Sequence, residues 1–139
     1  MAIALKPALM AAAAAMVLAM AMAPGAQAAQ WSKVGGGKGE VFYIDKASVV
    51  KKDKSRKVWS MHSYTKPQTT PEGKAYRSVK AQHLYSCDER TMVMLSQVFY
   101  PETMARGEPL ETYKYEKFSP EDVAPDSAFA KALAKVCKR

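Results

Sequence analysis

Between Tyr76 and Tyr100 the chain reads YRSVKAQHLYSCDERTMVMLSQVFY, two apolar-rich runs flanking the polar tripeptide Asp88-Glu89-Arg90. In the first run Val79, Ala81, Tyr85 and Cys87 share one parity, whereas Ser78, Lys80, Gln82 and Ser86 share the other. That period of two predicts a strand whose odd-numbered residues face a core. The second run, Met92 to Tyr100, is apolar at both parities, with Met92, Met94 and Val98 against Val93, Leu95 and Phe99. Such a strand is central in its sheet or covered on both sides. The two runs therefore predict an antiparallel hairpin around which the remaining elements assemble.

Near the C-terminus the period changes. Phe129, Leu133, Val136 and Cys137 fall at i, i+4, i+7 and i+8, and Lys131, Lys135 and Lys138 fall on the other side. This is the stripe of an amphipathic helix, with Pro125 and either Asp126 or Ser127 as its N-terminal cap. Its cationic last turn suits the helix dipole. Cys137 lies on the apolar stripe and Cys87 on the apolar side of the hairpin, so a bond between them fastens helix to sheet.

Shorter signals complete the outline. Trp31 to Val34 predicts a first strand, Gly35 to Gly39 a loop, and Val41-Phe42-Tyr43-Ile44 a strand closed by Asp45-Lys46. Val49-Val50 opens another short strand, Lys51 to Ser55 is a charged turn, and Arg56 to Thr65 returns as a strand. Lys66 to Lys74 has two prolines and a glycine and predicts a loop, as does Pro101 to Pro109 around Gly107. Leu110 to Phe118 alternates tyrosines with charges, as an outer strand with one wet face does, and SPEDVAP is a connection to the helix. The expected fold class is α+β: one small antiparallel sheet of about five to six strands with a single helix packed on it.

Composition changes the picture at the N-terminus. Met1 to Lys6 carries one cation, Pro7 to Ala23 is an uncharged apolar run, and Pro24-Gly25 precedes small residues at Ala26 and Ala28. This is the layout of a secretory signal peptide over residues 1–28, followed by one domain over 29–139. The apolar run, about 17 residues, is at the short limit for a retained anchor. No cysteine stands near the cleavage site, so the mature protein is expected in the periplasm or secreted, not as a lipoprotein, and without stable membrane insertion.

Beyond residue 28 there are 20 basic and 13 acidic residues, a charge of about +7. A basic exported protein meets lipopolysaccharide, phospholipid headgroups, polyanionic glycans and acidic protein surfaces; nucleic acid is a poor candidate partner, since an exported chain rarely meets it. The two cysteines most simply form one structural disulfide in an oxidising compartment. Closing the 50 residues between 87 and 137 contributes roughly 4 kcal/mol in the chain-entropy model.

Chemistry is sparse. The glycine run at 35–39 lacks the Gly-Lys-Ser/Thr order of a phosphate loop. His62 and His83 stand alone on strands, no CxxC or nucleophile motif occurs, and the carboxylates are scattered through turns. These observations point to no enzyme, no metal and no cofactor. Two basic clusters remain. Lys46, Lys51, Lys52, Lys54, Arg56 and Lys57 surround Asp53 alone, which suits either a docking tip for a polyanion or, more simply, a solvated hairpin end whose charges resist edge pairing. Lys74, Tyr76, Arg77 and Lys80 gather at the start of the central hairpin, a residue set common at protein interfaces and also ordinary on a sheet.

The run Tyr76-Arg77-Ser78-Val79-Lys80, then Cys87, Phe99-Tyr100 and Gly107, resembles the surface-adhesin protein E family of exported Gram-negative proteins. Phe42-Tyr43-Ile44-Asp45 with Ser48, Trp59, Lys66-Pro67 and the Ala132 to Cys137 helix extend the likeness from Trp31 to Cys137. The resemblance implies a sheet with a disulfide-bonded C-terminal helix. It also implies an adhesin-like binding module for extracellular-matrix proteins such as vitronectin and laminin; the basic charge separately suggests an anionic envelope component as partner. Lys74, Arg77 and Lys80 are the nearest counterparts of its basic contact stretch. The alternative function is an accessory periplasmic protein within an envelope complex.

Overall fold

The computed structural model describes residues 28–116 and 119–138. The predicted signal segment lies outside the described residues except for Ala28. Eight strands run in the order β1 (Trp31–Gly37), β2 (Glu40–Asp45), β3 (Val50–Lys52), β4 (Ser55–Thr69), β5 (Ala75–Ser86), β6 (Thr91–Tyr100), β7 (Glu111–Lys114) and β8 (Glu121–Asp122). The helix α1 (Ala128–Val136) ends the chain.

All the pairings are antiparallel, and the sheet order is β1-β2-β4-β5-β6-β7. The short strands β3 and β8 add to β4 and β6 respectively, so the sheet is six strands wide although it contains eight segments. That width matches the sequence expectation; the strand count exceeds it. As predicted, β5 and β6 form the central hairpin.

Three departures have local causes. The expected Gly35 to Gly39 loop is mostly strand: β1 continues to Gly37, and the turn narrows to Lys38-Gly39, where Gly39 adopts φ 81°. A left-handed residue is what a tight hairpin turn needs and glycine supplies it at least cost. The expected Lys66 to Lys74 loop is shortened because β4 runs to Thr69. Its register against β5 shifts between Ser63 and Gln68, and Pro67, which has no N–H to donate, sits in that unpaired stretch. Finally, the connection before the helix contributes β8 and buries Val123 in the core. The predicted outer strand is reduced to β7; residues 117 and 118 of that span lie outside the described residues.

A second register shift explains the two-sided apolar pattern of β6. His83 pairs with Met94 and Gln82 with Ser96, leaving Leu95 as an extra residue. The bulge reverses the parity of β6, so that Met92 and Met94 before it face the same side as Gln97 and Phe99 after it.

On that side Phe42, Ile44, Val58 and Tyr85 meet Val123, Ala132, Leu133 and Val136 in the core. Ser127 caps α1, its Oγ accepting from the Ala130 N–H at 3.1 Å. Cys137 forms the C-cap and bonds to Cys87, with the two Cα atoms 5.6 Å apart. The Arg56 Nε donates to the Val136 carbonyl at 3.2 Å, a second tie between sheet and helix end.

Two measurements test this arrangement. The unreduced, denatured protein should show no titratable thiol, since both cysteines are bonded. Replacing Cys87 and Cys137 together with serine should lower the unfolding free energy by about 2–5 kcal/mol in urea denaturation. An unchanged midpoint would show that the helix is held by packing alone.

Candidate functional site

The antiparallel pleat gives the sheet two unlike faces. On the helix side an aromatic row continues past α1. Phe129 packs on Phe42 (5.5 Å between ring centres) and on His62 (6.0 Å). From there the row runs through Tyr64 and Tyr76 (5.9 Å), Phe99 (4.8 Å from Tyr76) and Tyr113 (6.0 Å from Phe99), mostly edge-to-face. Edge-to-face contacts place ring hydrogens over π-faces, the favourable geometry for such pairs.

Its ionisable members are held neutral. Burial, and then the adjacent Tyr76 and Glu40, push Tyr64 up to about 12. Burial lowers His62, and burial followed by the proximity of His62 lowers His83 to about 4. At the end of the row Tyr113 donates its hydroxyl proton to Glu111 Oε1, which also accepts from the Glu72 N–H at 3.2 Å. Burial alone would raise the Glu111 carboxyl; hydrogen bonds from Thr70, Tyr113 and Glu72, with nearby Lys74, outweigh it and lower its pKa. Glu111 thereby clips the 70–74 turn to β7.

The opposite face is different. Residues of the other parity, among them Tyr43, Trp59, Lys80, Leu84, Val98 and Tyr100, are half-buried and lie on the side of the sheet away from α1. The Lys80 ammonium sits 5.2 Å from the centre of the Trp59 ring and 5.5 Å from that of Tyr100. One end of this face is crossed by the 101–107 segment. Ser78 Oγ donates to the Glu102 carbonyl and accepts from the Ala105 N–H at 2.8 Å, and Ser63 Oγ accepts from the Met104 N–H at 3.2 Å.

The four residues nominated by sequence are thus distributed over two faces and a turn. Tyr76 belongs to the aromatic row on the helix side. Lys80 projects from the open face. Arg77 is exposed and donates to the Thr65 carbonyl, while Lys74 lies in the β4–β5 turn, 3.6 Å from Glu72. Trp59 and Tyr100, the rings that hold Lys80, were not nominated; only the register between β4, β5 and β6 brings them to it. Among the described residues no group of three or more His, Cys, Asp or Glu is placed to hold a metal ion.

The fold is a six-strand-wide antiparallel sheet with one helix disulfide-bonded to one face and half-buried aromatic rings on the other. The chain belongs to the surface-adhesin protein E family, whose model matches residues 31–138. Solved structures of Haemophilus influenzae protein E share the fold. One aligns with a TM-score of 0.56 at 20% identity over 77% of this chain and 92% of that one. A second crystal form gives 0.58 at 19% identity over 80% and 96%. Protein E from non-typeable H. influenzae gives 0.55 at 18% identity over 82% and 79%. Comparison with curated proteins returns no significant match.

The two histidines make stability depend on acid. His83 is 2% exposed, and its Nδ1 and the neighbouring Tyr85 hydroxyl have no hydrogen-bond partner among the described residues. A histidine in the unfolded chain takes up its proton near pH 6.5, whereas folded His83 resists protonation until about pH 4. Stability present at neutral pH is therefore lost as the pH falls through this window, by about 3 kcal/mol for His83, and His62 acts in the same direction. Urea denaturation at about pH 7 and about pH 4.5 should show this loss, and His83→Phe should remove most of it. A wild-type stability flat between these pH values would contradict the buried neutral imidazole.

Proposed function

We propose that the protein is an exported, non-catalytic, adhesin-like module that binds a protein partner through the sheet face opposite the helix. The observation that carries this reading is Lys80 beside Trp59 and Tyr100 on the face opposite α1. Aromatic rings flanking a cation supply contact area and directional attraction at low cost in conformational entropy, which is why such residues dominate protein interfaces. Lys74 and Arg77 lie toward the rim, where charges govern encounter rate more than final affinity. With an excess of basic over acidic residues, the favoured partner is acidic: an extracellular-matrix protein, or an anionic component of the envelope.

This division of roles is testable. Trp59→Ala combined with Lys80→Glu should weaken capture of the matrix protein that binds best in a panel by about thirtyfold, equivalent to roughly 2 kcal/mol. Lys74→Glu combined with Arg77→Glu should mainly slow association, with the difference disappearing at high salt. Each variant must retain the wild-type unfolding midpoint. Unchanged capture by both, or no capture by the wild type, would remove the proposal. In that case a stable partner recovered from the producing envelope would favour the accessory role instead.

A further inference from the structure

On the helix side of the sheet two methionines meet the buried histidine. His83 on β5 pairs directly with Met94 on β6, and Met92, two residues earlier, faces the same way. Opposed side chains of an antiparallel pair start roughly 5 Å apart at Cβ and diagonal ones about 7–8 Å, a gap that the flexible methionine side chain spans. All three line one cavity of about 470 Å³, together with Phe129 from the first turn of α1, whose ring centre is 5.3 Å from that of His83. His83 is 2% exposed, and its Nδ1 has no hydrogen-bond partner among the described residues. A buried polar atom left unpaired costs about 1–3 kcal/mol, which a bound ligand would recover.

We propose that His83, Met92 and Met94 together bind one soft monovalent cation, copper(I), in this cavity. Thioether sulfur is a soft donor that suits copper(I) and not hard cations such as magnesium or calcium, and imidazole is a copper ligand too. All three donors are neutral, and both cysteines are tied up in the disulfide. Without an anionic donor the desolvation of a doubly charged ion, which grows as the square of its charge, is not recovered, so the set favours a single charge. Burial keeps His83 neutral down to about pH 4, which leaves a lone pair free for a metal. Phe129 adds an aromatic wall that limits water and attracts a cation. Glu121, opposite Met92 in the β6–β8 pairing, sets an exposed carboxylate at the edge of the cavity. An apolar organic ligand would suit the thioethers and the ring but would offer the imidazole nothing. The site lies across the sheet from Lys80 and is independent of any partner bound there.

Titration of the disulfide-intact protein tests the site, with copper(I) kept reduced by ascorbate in the absence of oxygen and silver(I) as a redox-inert counterpart. One ion per chain should bind, and zinc(II) at the same concentration should not. Met92→Leu with Met94→Leu, which nearly conserves volume, should weaken binding by on the order of a hundredfold, and His83→Gln by about tenfold or more. Met61→Leu, at a buried methionine on the other face of the sheet, should leave binding unchanged. Methyl NMR of the wild-type chain needs no variant: silver(I) should move the Met92 and Met94 signals and leave those of Met61 and Met104 in place. Thiols are counted after loading, because a reduced cysteine would itself take copper(I). Any one of five results would overturn the proposal: no uptake of either ion, undiminished uptake in the double leucine variant, shifts at Met61 or Met104 instead, uptake only when free thiols appear, or zinc(II) bound as tightly as copper(I).

Discussion

The arrangement depends on one covalent tie between sheet and helix. A helix of nine residues is too short to persist alone in water, and here only Ala132, Leu133 and Val136 of its length are buried. Cys137 secures it to Cys87 at the end of β5, and Arg56 holds the last carbonyl of the same turn. With the helix end fixed, Phe129 at its start reaches Phe42, His62 and His83, so the bond at one end sets the packing at the other. The buried imidazoles are a consequence: without the helix they would be hydrated, and their protonation would cost far less.

One helix cannot cover both sides of a sheet six strands wide, and the uncovered side is managed rather than left wholly bare. The 101–107 segment closes one end of it through Ser63 and Ser78. Met104 and Ala105 both adopt left-handed backbone angles there, at φ 60° and 55°. Two such residues cost of order 1–3 kcal/mol each, which the surrounding hydrogen bonds must offset. Gly107 completes the crossing, since a Cβ on it would come within 2.8 Å of the Pro101 ring. The rest of that face keeps Trp59 and Tyr100 half-buried around Lys80.

How much of this was legible in the sequence follows from what periodicity can encode. Alternation at Val79, Ala81 and Tyr85, and the 3.6-residue stripe through Phe129, Leu133 and Val136, mark the central strand and the helix because each is a local repeat. Register is not local. Leu95 as a bulge and the shift between Ser63 and Gln68 depend on how two strands lie against each other, and both change which side chains are neighbours. That is why Trp59 and Tyr100 were not linked to Lys80; Tyr76, four residues before Lys80, packs instead against Tyr64 and Phe99 on the helix side. Val123 was hidden for a similar reason: a two-residue strand leaves no periodic trace.

Charge distribution follows the same logic at longer range. Read linearly, the cations between Lys46 and Lys57 look like the wet end of a hairpin, and for Lys54 and Arg56 that is close to the truth, since each is neutralised or hydrogen-bonded within the fold. Lys135 and Lys138 complete a different object. They line the same shallow cavity as Lys46 and Lys51 because the helix terminates where the disulfide puts it. Like charges so placed repel, and the repulsion opposes helix docking; the covalent tie is what makes the cluster sustainable. Reduction would therefore loosen the helix and let Lys135 and Lys138 move away from Lys46 and Lys51.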